Sequence, residues 1–222
     1  MAVLTSLQKA ILSAFAGVSD SQEFYLTGGT ALAEFYLKHR KSLDLDFFTS
    51  TEEILLPFSF QLEERLKKLP AAISRQRGLR SFVELAITKG AETTLIHLAH
   101  DAPFRFEPTS HFLEFPGVRV DNLTDIASNK LLALFQRATF RDFVDLFFLV
   151  KEGHFTTGKL TELAKAKDPG FDLYWLAVAL EQINTFPADL PDLLLLLKPC
   201  SLKELQGFFN TWREEITAKL IK

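Results

Sequence analysis

Two acidic residues, Asp44 and Asp46, lie in the run 43–48, where apolar and acidic side chains alternate. This alternation predicts a β-strand, on which side chains two positions apart share one face. The two carboxylates would then converge, and paired oxygen donors of this kind suit Mg²⁺ (or Mn²⁺) together with phosphate oxygens and water. A metal held there can activate an attacking hydroxyl and neutralise a leaving pyrophosphate. The alternative is an ordinary solvated strand face.

A double glycine, Gly28-Gly29, precedes the aspartates and follows a short strand predicted over 24–27. Thr30 would then cap a helix that runs to about Lys38. Glycine allows a ligand to approach the backbone, and the start of a helix offers free N–H groups to phosphate. A turn that needs glycine for purely local reasons is the alternative.

The run YLTGGTAL at 25–32, the pair His39-Arg40 and the run SLDLDFF at 42–48 together resemble the first motif of a known family. That family comprises the AbiEii/AbiGii-type nucleotidyltransferases, which are toxins of type IV toxin–antitoxin and abortive-infection systems within the DNA polymerase beta-like superfamily. The resemblance implies transfer of a nucleoside monophosphate from an NTP to an acceptor hydroxyl, which in family members, where known, is the 3′ end of tRNA. It also implies a cognate antitoxin as partner and nucleotide-binding roles for Gly28, Gly29, Thr30, Arg40 and Ser42.

A second stretch, 123–130 followed by RDFVDL at 141–146, is similar to the family's later motifs. The resemblance, which covers about residues 20–150, implies that Lys130 contacts the triphosphate and that Asp142 or Asp145 orients base, ribose or acceptor. Lysine is a plausible point-charge ligand for phosphate. Asp145 could instead pair with Arg141, one helical turn earlier.

His97 stands where the superfamily resemblance leads us to expect a third carboxylate, inside the stretch from Thr94 to Pro103. Histidine can accept a proton near neutral pH, but it is a poor Mg²⁺ ligand. His97 is therefore either catalytic, or a core-edge imidazole in a protein that binds nucleotide and transfers it poorly. Asp101, Glu92 or Glu84 could supply the missing carboxylate.

Basic residues cluster before the predicted metal strand, at 38–41, and again before the next strand, at Arg75, Arg77 and Arg80. They could form a phosphate track for RNA beside the site, or they could simply lie in solvated loops. Basic surroundings favour a polyanionic acceptor over the small-molecule acceptors that some relatives in the superfamily use.

The remaining pattern predicts an α/β (α+β) protein with a nucleotidyltransferase-fold mixed sheet, flanking helices and a C-terminal helical part. We expect an α/β domain over 1–120 and a helical domain over 121–222 that completes the nucleotide site. Strands are predicted at 82–87 and 93–99, joined by Lys89-Gly90, and at 118–120. Helices are predicted at 4–16, 30–38, 60–69, 123–135, 141–150, 173–183 and 202–220.

Net charge, cysteine content and the length of apolar runs restrict the cellular environment and the partners that we expect for the chain. With a net charge of -3, the chain has no global positive field to hold nucleic acid. Its single cysteine, Cys200, cannot form an intramolecular disulfide, and the N-terminus lacks a secretory signal pattern. The run 193–197 is too short to span a membrane and is predicted to be a buried helical turn. We therefore expect a cytoplasmic protein with no membrane partner.

Overall fold

The computed structural model describes residues 3–102 and 104–221 of the chain, which divides into two compact units, Met1–Asn122 and Leu123–Lys222. The first unit is a mixed sheet with helices, and the described part of the second unit contains only helices and loops. The predicted mixed α/β class is confirmed.

The first unit is organised by one seven-stranded sheet with the order β3-β4-β5-β2-β1-β7-β6. The pairs β2/β5 and β1/β7 are parallel, and the other neighbours are antiparallel. The strands are β1 (Tyr25–Thr27), β2 (Leu45–Thr49), β3 (Ala72–Gly78), β4 (Phe82–Lys89), β5 (Glu92–His100), β6 (Ser110–His111) and β7 (Arg119–Val120).

The helices of the first unit are α1 (Ser6–Ala16), α2 (Gly28–Ala31), which continues as a π-helical segment (Leu32–Leu37), and α3 (Leu55–Leu66). A capping box between Thr5 and Gln8 starts α1. Helices α1 and α3 pack on one face of the sheet, where Phe15 stacks on Phe47 of β2 with ring centroids 3.8 Å apart. Stacked and edge-to-face phenylalanine rings therefore contribute to the core of this unit.

The two faces of the sheet differ in burial. Along β2, β4 and β5 every second residue is fully buried beneath α1 and α3, as Leu45, Leu85 and Ile96 are. The residues between them are only partly buried, and we call their surface the half-exposed face. It comprises Asp46, Phe48, Phe82, Glu84, Ala86, Leu95, His97 and Ala99.

Several predicted boundaries are wrong. Helix α2 begins at Gly28, so Thr27 is its N-cap and Thr30 lies inside the helix. Strand β2 begins at Leu45, so Asp44 precedes it. Helix α3 starts at Leu55 rather than at 60, because a proline is tolerated in the first turn of a helix. Strand β3 was not predicted, because it is an exposed edge strand without an alternating apolar pattern.

The second unit contains α4 (Leu123–Arg137), α5 (Phe140–Lys151), α6 (Thr157–Lys167), α7 (Leu173–Glu181) and α8 (Leu202–Leu220). Phe143 of α5 and Phe209 of α8 meet edge to face in its core, with centroids 4.8 Å apart. The run 193–197 overlaps a short helical segment, Pro191–Leu195, as its predicted helical turn requires. Its predicted burial is wrong, because none of these residues is buried and Leu194 is 86% exposed. Within the described ranges, no helix is both long and apolar enough to cross a membrane.

Candidate active site

The strand register places four polar residues in one row across the sheet. Thr27 of β1 lies opposite Asp46 of β2, Asp46 lies beside His97 of β5, and His97 lies opposite Glu84 of β4. Directly paired residues point to the same face of a sheet. Asp46, His97 and Glu84 therefore meet on the half-exposed face.

The His97 imidazole lies between two carboxylates. Its Nδ1 is 2.8 Å from Oδ1 of Asp46, and its Nε2 is 3.3 Å from Oε2 of Glu84. The hydrogen bond with Asp46 raises the pKa of His97 above its ordinary value of 6.5, burial opposes the rise, and the charges of Asp46, Asp44 and Glu84 add to it. An imidazolium can donate a hydrogen bond from each ring nitrogen, so this position favours the protonated ring.

Asp44 shares these surroundings although it precedes the strand. Its side chain is partly buried, and its negative charge contributes to the raised pKa of His97. The hydroxyl of Thr30 in α2 donates a hydrogen bond to the backbone carbonyl of Asp44. The helix after the glycine turn thus holds the segment that carries the first aspartate.

Side chains of the same motif fill the space in which a side chain on Gly28 or Gly29 would lie. Gly28 has a φ of +71°, and a Cβ on it would lie 2.3 Å from Oδ2 of Asp46. A Cβ on Gly29 would lie 2.5 Å from Nη2 of Arg40 and 3.1 Å from Oγ of Ser42. Both glycines are therefore required by the packing of Asp46, Arg40 and Ser42 against the backbone, whatever else approaches the turn.

Arg40 and Ser42 are held inside the first unit. Arg40 is 3% exposed and donates from Nη1 to the carbonyl of Lys41 at 3.0 Å. Ser42 is 6% exposed, and its carbonyl accepts a hydrogen bond from Nε2 of Gln8 at 2.8 Å. Burial of this guanidinium makes Arg40 a fixed positive charge beneath the glycine turn.

Of the three carboxylates suggested as substitutes for a third acidic ligand, only Glu84 contacts His97 in the described structure. Asp101 accepts a hydrogen bond from the hydroxyl of Tyr25 at 2.7 Å. Glu92 accepts one from the hydroxyl of Thr5. Pro103, the last residue of the stretch searched in the sequence, lies outside the described residues.

A buried network that the sequence did not reveal anchors the glycine turn. The hydroxyl of Thr27, the N-cap of α2, donates to Oδ2 of Asp121 at 2.7 Å, and Asp121 also pairs with Arg105. The Arg105 guanidinium lies 4.2 Å from the ring centre of Tyr25. Burial, followed by the hydrogen bond to Asp101, raises the pKa of the Tyr25 hydroxyl far above its ordinary value. No local pattern could have linked Thr27 to a residue 94 positions away.

Asp44 and Asp46 are suited to a metal ion whose other ligands come from phosphate and water. They do not form a complete set of protein ligands. Among the residues that the structure describes, no group of three or more His, Cys, Asp or Glu side chains is arranged to hold a metal ion. Asp44 and Asp46 supply hard carboxylate donors on neighbouring positions, which suits Mg²⁺ because this ion keeps water and substrate phosphates as ligands.

In the second unit, the predicted site residues form a buried ion-pair cluster. Nζ of Lys130 lies 2.7 Å from Asp145 and 3.9 Å from Asp142, and both aspartates are fully buried. Asp142 also accepts two hydrogen bonds from Arg137, at 3.0 and 3.1 Å, and one from the hydroxyl of Thr139 at 2.6 Å. The positive charge of Lys130 is thus compensated within its own unit.

The family and fold are shown by comparison with known proteins. A family model described as nucleotidyl transferase AbiEii toxin, type IV TA system, matches residues 10–192. An uncharacterized protein of Aquifex aeolicus is 34% identical over 180 residues, which are 78% of this chain and 79% of that protein.

Two crystal structures from Helicobacter pylori have a similar fold. The structure of a candidate nucleotidyltransferase has a TM-score of 0.61 at 21% identity and covers 96% of this chain and 93% of its own. The structure of JHP933 has a TM-score of 0.58 at 22% identity and covers 96% and 90% respectively.

Proposed function

The chain belongs to the AbiEii nucleotidyltransferase toxin family, and on this premise we propose that it transfers a nucleoside monophosphate from an NTP to an acceptor hydroxyl. The observation that carries this proposal is the meeting of the glycine turn with the acidic strand, where Asp46 packs against Gly28 and the charges of Asp44 and Asp46 both act on His97. Carboxylates beside a glycine turn at the start of a helix are suited to a metal-bound triphosphate.

Asp44 and Asp46 would hold Mg²⁺ or Mn²⁺. The bound ion would supply charge neutralisation for the triphosphate and activation of the acceptor hydroxyl. Arg40 and the N–H groups at the start of α2 contribute fixed positive charge on the phosphate side of the turn. In the transfer, the acceptor oxygen bonds to the α-phosphorus, the bond from that phosphorus to the bridging oxygen breaks, and pyrophosphate leaves.

His97 is the base that we propose for the acceptor hydroxyl. Its two carboxylate neighbours favour the protonated ring, so His97 acts as a base in the fraction that is neutral. In that form Nε2, whose contact with Glu84 is the longer of the two, takes up the proton. Its contact with Glu84 then holds the resulting imidazolium. Roles for Lys130, Asp142 and Asp145 toward the nucleotide rest on the family's later motifs and stay predictions.

The acceptor that we propose is RNA, with the 3′ end of tRNA as the first choice, and the partner is a cognate antitoxin. The family description, which places these proteins in type IV toxin–antitoxin systems, supports the antitoxin. A polyanionic acceptor is supported by Arg77, which is exposed and lies beside Glu84 on the neighbouring strand.

The test is transfer of label from α-labelled NTPs to total tRNA by the purified full-length chain in the presence of Mg²⁺. We expect transfer that a chelator and Asp46→Asn both abolish. Glu92→Gln is the matched control, because it also removes a carboxylate from the sheet but one bonded to Thr5, and it should retain activity. Absence of transfer to tRNA with every common NTP would overturn the proposal.

A second candidate function is nucleotide binding with little turnover, and the contact between His97 and Asp46 favours it. A histidine that occupies one oxygen of a metal-binding carboxylate weakens the metal site. In that case calorimetry would show NTP binding without turnover, and His97→Asp would raise activity. Efficient turnover by the native chain would exclude this candidate.

A further inference from the structure

A β-bulge in the edge strand β3 changes the face on which one arginine lies. Arg75 pairs with Leu85, whereas Arg77 pairs with Glu84, so two residues of β3 advance the ladder by one residue of β4. In a regular strand, residues 75 and 77 would share a face. The bulge instead places Arg77 beside Glu84, and such irregularities commonly redirect side chains next to active sites.

Arg77 thereby becomes the last member of the row that contains the candidate site. The row runs from Asp46 through His97 and Glu84 to Arg77 on the half-exposed face. Arg75 lies on the opposite face, where it pairs with Glu63 at 2.9 Å. The bulge alone places Arg75 and Arg77 on opposite faces of the sheet.

Arg77 also differs from its neighbours in its contacts. Arg75 stacks over Phe60 in addition to its pair with Glu63, and Arg80 lies 3.3 Å from Glu52. Arg77 is exposed, and among the described residues no hydrogen bond or ion pair involves its side chain. Its guanidinium is therefore the one of these three that can bind an external anion without breaking an existing pair.

Aromatic rings border the same row. Phe48 of β2 and Phe82 of β4 are partly exposed on the half-exposed face, on either side of Ala99. The ring of Phe82 lies 5.7 Å from that of His97, and the ring of Phe48 lies 6.3 Å from that of Tyr25. Partly exposed rings beside a cation form the kind of surface on which unpaired bases stack.

We infer that Arg77 binds a backbone phosphate of a single-stranded RNA acceptor, whose terminal hydroxyl lies at Asp46 and whose bases stack on Phe82 and Phe48. The catalytic part of this inference rests on the proposed function, but the RNA-binding part does not. Three strand spacings separate Asp46 from Arg77, or about 14 Å. The bound phosphate therefore lies a few nucleotides before the 3′ end, and a very short acceptor does not reach it.

The test is the steady-state kinetics of Arg77→Gln with a single-stranded RNA oligonucleotide and with a dinucleotide as acceptors. For the oligonucleotide, loss of a phosphate contact should raise the acceptor KM about tenfold and reduce the salt slope of binding by about 1. The kcat at saturating RNA and the KM for NTP should not change. With the dinucleotide, Arg77→Gln and the native chain should behave alike.

Lys89→Gln is the matched control, because it removes the same charge from the far end of β4, outside this row. It should leave the acceptor KM unchanged, and Arg77→Lys should restore most of the affinity. If Arg77→Gln does not change the acceptor KM, or if Lys89→Gln raises it equally, a specific role for Arg77 is excluded.

Direct RNA binding without NTP separates this inference from the proposed function. If the chain binds single-stranded RNA through Arg77 but transfers nothing, the RNA-binding part of the inference stands and the proposed function fails. If the chain transfers nucleotide to RNA and Arg77→Gln binds RNA as tightly as the native chain, the proposed function stands and the inference fails. Binding that prefers duplex RNA would also overturn the inference, because duplex bases cannot stack on Phe82.

Discussion

The two units hold their key aspartates in opposite ways. Asp46 in the first unit is 27% exposed and contacts an imidazole, whereas Asp145 in the second unit is fully buried and contacts Lys130 at 2.7 Å. A partly solvated carboxylate can exchange its partner for a ligand at small cost, but a buried ion pair cannot lose one member without leaving a desolvated charge. Asp46 is therefore suited to ligand binding, which is the role we propose for it, whereas Asp145 contributes to the cohesion of the second unit.

Asp46→Asn should have the largest effect, and that effect should be on transfer. We expect a loss of about ten-thousandfold in kcat/KM, as for removal of a principal catalytic group. The free energy of unfolding should change by no more than about 1 kcal/mol, because the substituted side chain is partly exposed and loses only its pair with His97. Transfer assays and urea denaturation of the same preparation measure both quantities. If Asp46→Asn transferred nucleotide at the native rate, the proposed contrast between a functional Asp46 and a structural Asp145 would be contradicted.

Asp145→Ala should have the next largest effect, and it should be on stability. Removing Asp145 takes away the nearer of the two carboxylates that compensate the buried Lys130, and it should lower the free energy of unfolding by about 3 kcal/mol. The double change Lys130→Met with Asp145→Leu should recover most of this loss, since no charge is then left unpaired.

The control for the second unit is Asp192→Ala. Asp192 lies 3.9 Å from Arg141 in a partly exposed pair, so its removal should cost less than about 1 kcal/mol. Chemical denaturation followed by circular dichroism measures all three variants. A loss at Asp145 no larger than that at Asp192 would contradict a structural role for the buried cluster.

Gly28→Ala should have an intermediate effect on both activity and stability. The left-handed backbone at Gly28 costs an alanine about 1–2 kcal/mol, and the added methyl would displace Asp46. Gly90→Ala offers the same positive φ with no neighbour within 4 Å, so it should lose similar stability and keep transfer activity. Equal activity losses in these two variants would show that backbone strain alone is responsible.

Loss of the His97–Asp46 pair should have the smallest effect, and that effect should be on the pH dependence of stability. Because the folded-state pKa lies above 6.5, the pair stabilises the fold below that pH, and this contribution is lost as the pH rises through the raised value. The contribution should be no more than about 1 kcal/mol for a partly exposed pair. His97→Gln should lack this component when thermal unfolding is measured with a chelator. A parallel pH dependence of the two proteins would contradict the assignment.

Local patterns predicted most of the helices and the central strands. Helix α8 begins and ends where its periodicity indicates, at Leu202 and Leu220, and β5 follows the alternation seen over 93–99. Strand β3 could not be predicted because this edge strand is mostly exposed and its sequence has no alternation of apolar and polar residues. The start of α2 was misplaced because a glycine with positive φ, and not Thr30, opens the helix.

The parts of the candidate site that depend on register could not be predicted. The sequence identified Asp44, Asp46 and His97 and named Glu84 only as one of several substitutes. The contact between His97 and Glu84 follows from antiparallel pairing, and the position of Arg77 follows from an irregularity in that pairing. Register is set by long-range pairing and packing, so a single sequence does not specify it.

The hydrogen bond between Thr27 and Asp121 has a consequence for how the protein is made. Strand β1 is flanked by β2 and by β7, and the residue that anchors its end is 94 positions further along the chain. Before residue 121 has been synthesised, the growing polypeptide already contains Asp44 and Asp46 but lacks the contact that anchors the glycine turn. Because domains fold as units during synthesis, the glycine turn is anchored only after translation has passed residue 121.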